Sequence, residues 1–366
     1  MIDTIFSPSF GNKPNTLIGR SQIMKELMDG LNSIKGSKER AMLITGNRGV
    51  GKTVLLLELN DMAKKNNYIV ASPTIVSRGM LERIVEKIQD EGEEYLETNN
   101  KKLTGGSVGF LGFSAGLQFS KEEKESKSFA YKLDKLTKAL NDKGLGVLIL
   151  IDEVQANNEA LKELIIAYQE MVGIGRNVSI AMAGLPGAIS STINDQVLTF
   201  LNRAKKIKVE PLKDIDIDAY FEKSFSDLGI YINDKQRKDL VVKSQGSPYL
   251  VQLLGHYVTI YSTDKGIIED SEYKKAVEYA IKDFEEDICE TTLNNISQKD
   301  VEFLIAMANK GEIVKIKEIL EYMGVKDDYA QLYKRRLIDS GIIEQVKRGE
   351  VRIAIPYIKD YLKNKY

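Results

Sequence analysis

The sequence predicts an α/β protein in three parts: a parallel sheet covered by helices on both faces, an all-helical unit, and a small tail of helices and a hairpin. Three observations carry this. Up to Pro211, short strand-like runs, most of them apolar, alternate with amphipathic helical stretches, the pattern of strands buried on both faces. From Ile215 to about Ile288 only helical periodicity is visible, broken at Gly246 and Pro248. From Ser297 onward the order is helix, helix, helix, strand, turn, strand. The divisions drawn on this basis are residues 1–211, 212–293 and 294–366.

Composition bounds the function classes. A chain of 366 residues exceeds one ordinary domain, and 43% apolar with 29% charged residues suits a globular core. Lys+Arg 52 against Asp+Glu 53 leaves no global basic field to advertise nucleic acid. The single cysteine, Cys289, excludes an intrachain disulfide framework and reads as a small buried apolar side chain. The single histidine, His256, argues against a His/Cys metal site. The first residues, MIDTIFSPSFGNKPNT, have neither a basic n-region nor an apolar h-region. No run of ~18 apolar residues occurs, so a cytoplasmic protein without a membrane segment is expected.

Taken in order, a Pro/Gly/Asn-rich arm leads to Ser21, which is expected to cap an amphipathic helix through about Ile34. The strand Ala41–Thr45 runs through a glycine-rich loop into a Leu-rich helix, Lys52–Ala63. Strand Tyr68–Ala71 precedes a helix from about Met80 to Leu96. The stretch Leu103–Phe119 alternates glycine, small and aromatic residues and reads as a β-hairpin or an irregular loop. Its Phe110, Leu111 and Phe113 either face a partner or fold back onto the core, the second being preferred. A helix over Ser128–Asn141, strand Val147–Ile151, helix Glu159–Val172 and strands Val178–Ala183 and Lys205–Val209 complete the sheet unit. In the tail, helices Lys299–Asn309, Lys315–Tyr322 and Asp327–Asp339 precede strands Ile342–Val346 and Val351–Ile355 around a Lys347-Arg348-Gly349 turn, the order of a winged helix.

The strongest chemical signal is Gly46-Asn47-Arg48-Gly49-Val50-Gly51-Lys52-Thr53, a full G-x-x-x-x-G-K-[ST] between a strand and a helix. Glycines let the backbone curl so that successive N–H groups face one anion, and the helix N-terminus adds a favourable dipole. Lys52 is expected on the β- and γ-phosphates of ATP, and the Thr53 hydroxyl on Mg²⁺. The second signal is Leu148-Ile149-Leu150-Ile151-Asp152-Glu153, a buried strand releasing two carboxylates at its C-terminal end, beside the phosphate loop in such sheets. Asp152 suits Mg²⁺, and Glu153 suits the polarisation of an attacking water.

With these motifs in place the chain resembles the AAA+ ATPases. More narrowly, it is similar to the branch of archaeal-type ATPases with a C-terminal winged helix, which includes the origin-recognition initiators and the signal-transducing STAND ATPases. The resemblance implies a P-loop NTPase parallel-sheet core, a helical lid and a winged-helix domain. Leu17-Ile18-Gly19-Arg20 resembles the box that precedes the core in this family, which would put Ile18 on adenine. Phe200–Lys206 stands where the family places an arginine finger, which would make Arg203 a cation offered to a neighbouring subunit in a homo-oligomer; the alternative is a solvated arginine. Gly246-Ser247-Pro248 resembles the lid motif whose proline lies at the nucleotide. Two positions depart from the family: Tyr249 replaces the basic sensor residue after Pro248, and the strand ending Ala183-Gly184-Leu185-Pro186 lacks the polar first sensor.

The reading is an ATP-binding AAA+ type switch with slow Mg²⁺-dependent hydrolysis to ADP, associated with double-stranded DNA through Lys334, Arg335, Arg336, Lys347 and Arg348. Asp327, Asp328, Glu344 and Glu350 dilute those charges. The alternative is a STAND-like switch in which the winged helix meets protein and locks an ADP-bound state.

Overall fold

A computed structural model describes residues 5–8, 13–14, 16–73, 79–97, 119, 126–155 and 158–366 of the chain. Apart from Phe119, the stretch 103–119, with Phe110, Leu111 and Phe113, lies outside the described residues. Phe119 itself is buried in the core and carries the Lys135 ammonium 5.2 Å above its ring.

The core is a five-stranded parallel sheet in the order β2-β3-β4-β1-β5. The strands are β1 (Ala41–Thr45), β2 (Tyr68–Ala71), β3 (Gly146–Ile151), β4 (Val178–Gly184) and β5 (Lys205–Lys208). Strands β1 to β4 are buried almost throughout, as strands covered on both faces must be, whereas β5 alternates exposed lysines with Ile207 at the sheet edge. Helices α1 (Ser21–Asn32) and α2 (Lys52–Lys65) send Leu27, Leu31, Leu55 and Leu59 onto one face. Helices α3 (Met80–Glu97), α4 (Phe129–Asn141), α5 (Glu159–Gly173) and α6 (Pro186–Ile193) cover the other face with residues such as Ile84, Leu136, Leu164 and Ile189. One sequence expectation changes here: Ser21 is the first helical residue rather than the cap. Arg20 holds the cap position, its carbonyl accepting the Met24 N–H at 2.9 Å, and its side chain makes no cap hydrogen bond.

The helical unit comprises α7 (Asp214–Asp227), α8 (Asp234–Ser244), α9 (Pro248–Tyr261) and α10 (Asp270–Phe284). Its core takes in the N-terminal arm: the buried Phe6 ring packs on Tyr220, Phe221 and Phe225 and fills the space above Gly255. A π-helical turn, Glu285–Glu290, continues α10 into α11 (Thr291–Asn294).

The tail is a winged helix. Helices α12 (Gln298–Lys310), α13 (Ile316–Met323) and α14 (Asp327–Asp339) precede β7 (Ile343–Lys347) and β8 (Glu350–Ile353). Lys347 pairs with Glu350, so the wing closes on Arg348 and Gly349 alone, and Gly349 supplies the positive φ such a turn demands. Two elements of this tail were not foreseen, the two-residue strand β6 (Val314–Lys315), which makes the sheet β6-β8-β7, and a final helix, α15 (Ile358–Lys365); nor was α6 in the sheet unit. The lid and the winged helix share one continuous apolar core, with Phe221, Leu254 and Phe284 at one end and Phe303, Leu304 and Leu337 at the other.

Candidate functional site

The phosphate loop leaves β1 at Thr45 and enters α2 at Lys52. Gly46 is required by close packing: a β-carbon there would stand 2.8 Å from the Val209 carbonyl and 2.8 Å from Val50 Cγ2. Gly51 caps α2 in the left-handed region (φ 93°) and brings no side chain to the first turn, whose N–H groups remain for an anion. Lys52 folds back into the loop, donating to the Gly46 carbonyl at 2.9 Å and the Asn47 carbonyl at 2.8 Å. Burial pushes its ammonium down to about 8, Asp152 opposing the shift and Arg48 adding to it.

Asp152 leaves the end of β3 directly opposite the loop. The Thr53 hydroxyl donates to its Oδ2 at 2.6 Å, while the Glu153 N–H donates to its Oδ1 at 2.9 Å. Glu153 has a left-handed backbone (φ 52°), an uncommon state for a residue with a side chain. The chain then rejoins the sheet, Val154 N–H reaching the Ala183 carbonyl at 2.9 Å. Hydroxyl and carboxylate are hard oxygen donors of the kind Mg²⁺ takes, and the pair fits that ion beside a triphosphate.

The lid approaches from above. Pro248, the first residue of α9, brings its Cγ to 3.7 Å from where a β-carbon on Gly51 would stand. Ile18 is buried in the lid's apolar cluster with Leu212 and Ile217. Arg20, beside it, is a participant that sequence reasoning passed over. Its guanidinium donates to the Val50 carbonyl in the loop at 3.2 Å and to the Glu210 carbonyl beyond β5 at 2.6 Å. Burial lowers its pKa, with Asp216 and Glu210 opposing. Arg20 thus fastens the segment before α1, the phosphate loop and the exit of the sheet to one another. Its sequence signal was the Gly-Arg pair, but its carbonyl partners lie 30 and 190 positions away.

Arg203 is not brought to this cluster. It ends an exposed 3₁₀ turn, Thr199–Arg203, just before β5, and Lys205 pairs in register with Met42. That is the opposite end of the parallel sheet from Gly46, roughly 13 Å away at about 3.3 Å per strand residue. Within one chain, Arg203 does not meet the Lys52 site.

The winged helix reaches the site instead. Helix α14 ends in a Schellman turn, Ile342 N–H bonding to the Leu337 carbonyl and Gly341 N–H to the Ile338 carbonyl, with Gly341 at φ 67°. This turn rests on the phosphate loop: a β-carbon on Gly341 would stand 3.4 Å from Asn47 Cα and 3.3 Å from Leu185 Cδ2. Beside it, Gly187 in α6 lies so close to α14 that a β-carbon there would be 2.5 Å from Asp339 Cα.

A sheet of this strand order, with a phosphate loop after β1 and an acid pair after β3 on the far side of β4, defines an ATPase core of the AAA+ type. The comparisons agree. Residues 16–180 match the model of the AAA ATPase domain, and residues 286–362 match that of a domain of unknown function (DUF8462). Among solved structures the fold is shared along nearly the whole chain. The Walker-type ATPase PABY2304 of Pyrococcus abyssi superposes with a TM-score of 0.68 at 17% identity, covering 95% of this chain and 96% of its own. The Aeropyrum pernix ORC2 protein, in ADPNP–ADP complexes, superposes at 0.66 with 13% identity, covering 98% and 95%. Residues 16–180 therefore carry an AAA ATPase domain, and the chain shares its fold, helical unit and winged helix included, with these two structures. No curated protein matches the sequence. Among the described residues no helix is long and apolar enough to cross a membrane.

Proposed function

We propose that the chain is an ATP-dependent switch in which the nucleotide on the phosphate loop decides whether the winged helix stays seated on the core. The observation that carries this is the seat itself: the turn Asp339–Gly341 lies against Asn47 of the loop and against Leu185 and Gly187 after β4. In this reading the amides of Gly46–Thr53 hold the phosphates, Lys52 pairs with the β- and γ-phosphates, Thr53 and Asp152 hold Mg²⁺, and Glu153 polarises water. Ile18 and Pro248 flank the base and sugar side. Hydrolysis is slow, since the end of β4 (Ala183, Gly184, Leu185) offers no polar side chain.

Ion pairs favour protein as the partner of the released winged helix. Arg336 bonds the buried Asp300 at 2.7 Å, Arg335 faces Asp339 at 3.7 Å, Lys347 faces Glu350 at 3.3 Å, and Arg352 pairs with Glu344. Charges so neutralised release few counterions from DNA phosphates. Tyr322, Tyr329 and Leu332 meanwhile stand exposed on α13 and α14. Duplex DNA is the second reading, supported by the helix–helix–helix–wing order and by the exposed Arg348 at the wing. Binding that weakens steeply with salt identifies DNA.

The test is Gly187→Ala. Gly187 lies in the first turn of α6, where alanine is at least as well tolerated as glycine, so the helix itself does not suffer from the change. The added methyl nevertheless collides with the Asp339 backbone and lifts α14 from its seat. The variant is expected to keep its melting temperature within a few degrees, release a fluorescent ADP several-fold faster, and lose exchange protection in α14. An unchanged ADP release rate together with exposed α14 amides refutes the gating role.

A further inference from the structure

Tyr249 occupies the place where the sequence comparison expected a basic residue aimed at the nucleotide. Its side chain goes elsewhere. The hydroxyl donates to Asp287 Oδ2 at 2.6 Å, and the ring leans on Phe284 with centroids 6.1 Å apart. Both partners belong to the connection between lid and winged helix: Phe284 ends α10, and Asp287 lies inside the π-helical turn Glu285–Glu290.

That turn carries the winged helix. Phe284 meets Tyr357 edge-on at 6.2 Å, and the Cys289 thiol faces the Pro356 carbonyl at 3.5 Å. Tyr357, held at φ 60°, sends its hydroxyl back to the Lys243 carbonyl of α8 at 2.9 Å. At the other end, Tyr249 directly follows Pro248, whose ring stands over Gly51. A continuous set of contacts therefore joins the first turn of α2 to the base of the winged helix: Gly51, Pro248, Tyr249, Asp287 and Phe284, Tyr357.

Contacts alone do not couple two sites; a two-state element that both can bias is required. We take the π-turn as that element. One turn of i→i+5 bonding inside a continuous helix is an isolated register change, and such turns recur at functional positions. Rewinding these six residues to the α register rotates whatever follows by roughly 100° about the helix axis. The Tyr249–Asp287 bond is exposed, so it adds little to overall stability; its charge-assisted geometry instead favours one register.

We propose that Tyr249 is a positioning residue which, through Asp287, holds the π-turn in register and passes the placement of α9 over the phosphate loop to the winged helix. The proposal rests on the switch reading above.

The experiment labels exposed sites in the core and the wing, Lys206→Cys and Arg348→Cys, with a donor–acceptor dye pair, the buried Cys289 being inaccessible to label. Energy transfer is compared between Mg·ADP and Mg·ADPNP. The unaltered background is expected to change efficiency between the two nucleotides. Tyr249→Phe keeps the ring and loses the bond; Asp287→Ala loses the acceptor. Each should lower the nucleotide-dependent change at least threefold, with nucleotide affinity within twofold of the parent. Asp287→Asn keeps an acceptor oxygen and should restore the response, which a merely structural contact does not predict. If the parent responds and Tyr249→Phe responds equally, the coupling role falls while the switch stands. A parent with no response removes the switch and this proposal together.

Discussion

Raising the pH should weaken ATP binding by an amount set by Lys52. Burial in the loop lowers the Lys52 ammonium from the ordinary 10.5 to about 8, while the ammonium must be charged to pair with phosphate. Free protein therefore takes up a proton on binding at any pH above about 8, and affinity falls by roughly tenfold per unit there. Against pH 7, the dissociation constant should rise about twofold at pH 8, about tenfold at pH 9 and about a hundredfold at pH 10. The triphosphate is fully ionised over this window, so the slope belongs to the protein.

Stability moves the other way. Between pH 8 and 10.5 the unfolded chain holds the Lys52 proton and the folded chain has released it, so unfolding becomes harder as pH rises. The cost of burying the charge is fully present below pH 8 and is relieved across that window, by on the order of 1–3 kcal/mol. The assay is a titration with a slowly hydrolysed fluorescent ATP analogue at fixed Mg²⁺ from pH 7 to 10, with urea unfolding of the free protein at each pH. Lys52→Ala should bind more weakly by about 1.5–3 kcal/mol at pH 7 and show neither slope. Asp152→Asn, removing a charge that supports the ammonium, should move the onset to lower pH. Affinity that is flat to pH 10, or an equal slope in Lys52→Ala, refutes the reasoning.

Four further outcomes are expected. Glu153→Gln should keep ATP affinity and lose phosphate release, and unchanged turnover removes Glu153 from its role. Phe6→Ala empties the space over Gly255 and should lower stability by about 3–5 kcal/mol in calorimetry; a loss under 1 kcal/mol shows that the arm is not part of the lid core. Arg336→Ala should destabilise the chain by about 1–3 kcal/mol, because it strips the buried Asp300 of its cation. Arg348→Ala should leave stability unchanged, and in a DNA-binding protein it should reduce the salt slope by about one.

The sheet was legible because its strands are apolar on both faces and the intervening helices are amphipathic, so the observed limits depart from the expected ones by a residue or two. The loop and the acid pair were legible for a different reason: phosphate chemistry fixes residue types at fixed spacing, and each motif is local. What escaped was long-range. Nothing near Arg20 in sequence announces that its guanidinium will seek carbonyls at Val50 and Glu210. Gly187 and Gly341 look like ordinary loop and cap glycines until Asp339 and Asn47 are brought against them. Strand β6 has two residues, too few for any periodicity, and owes its existence to the edge of β8. The π-turn sits where the legible helical pattern runs out, near Ile288, so only the backbone shows the change of register.

The placement of cations is the ground on which slow hydrolysis is proposed. Phosphoryl transfer depends mainly on positive charge positioned where charge develops. Lys52 is within the loop, and Arg48 is close enough to depress its pKa. Arg20 is committed to two backbone carbonyls, Tyr249 replaces a basic residue and bonds Asp287, and Arg203 stands at the far end of the sheet. A residue so far from its own loop adds no charge to it. The turn that ends α14 lies over Asn47 of that loop. In the proposed switch the nucleotide is therefore held, rather than turned over, while α14 is seated on the core, and a variant that unseats α14 is expected to release it faster.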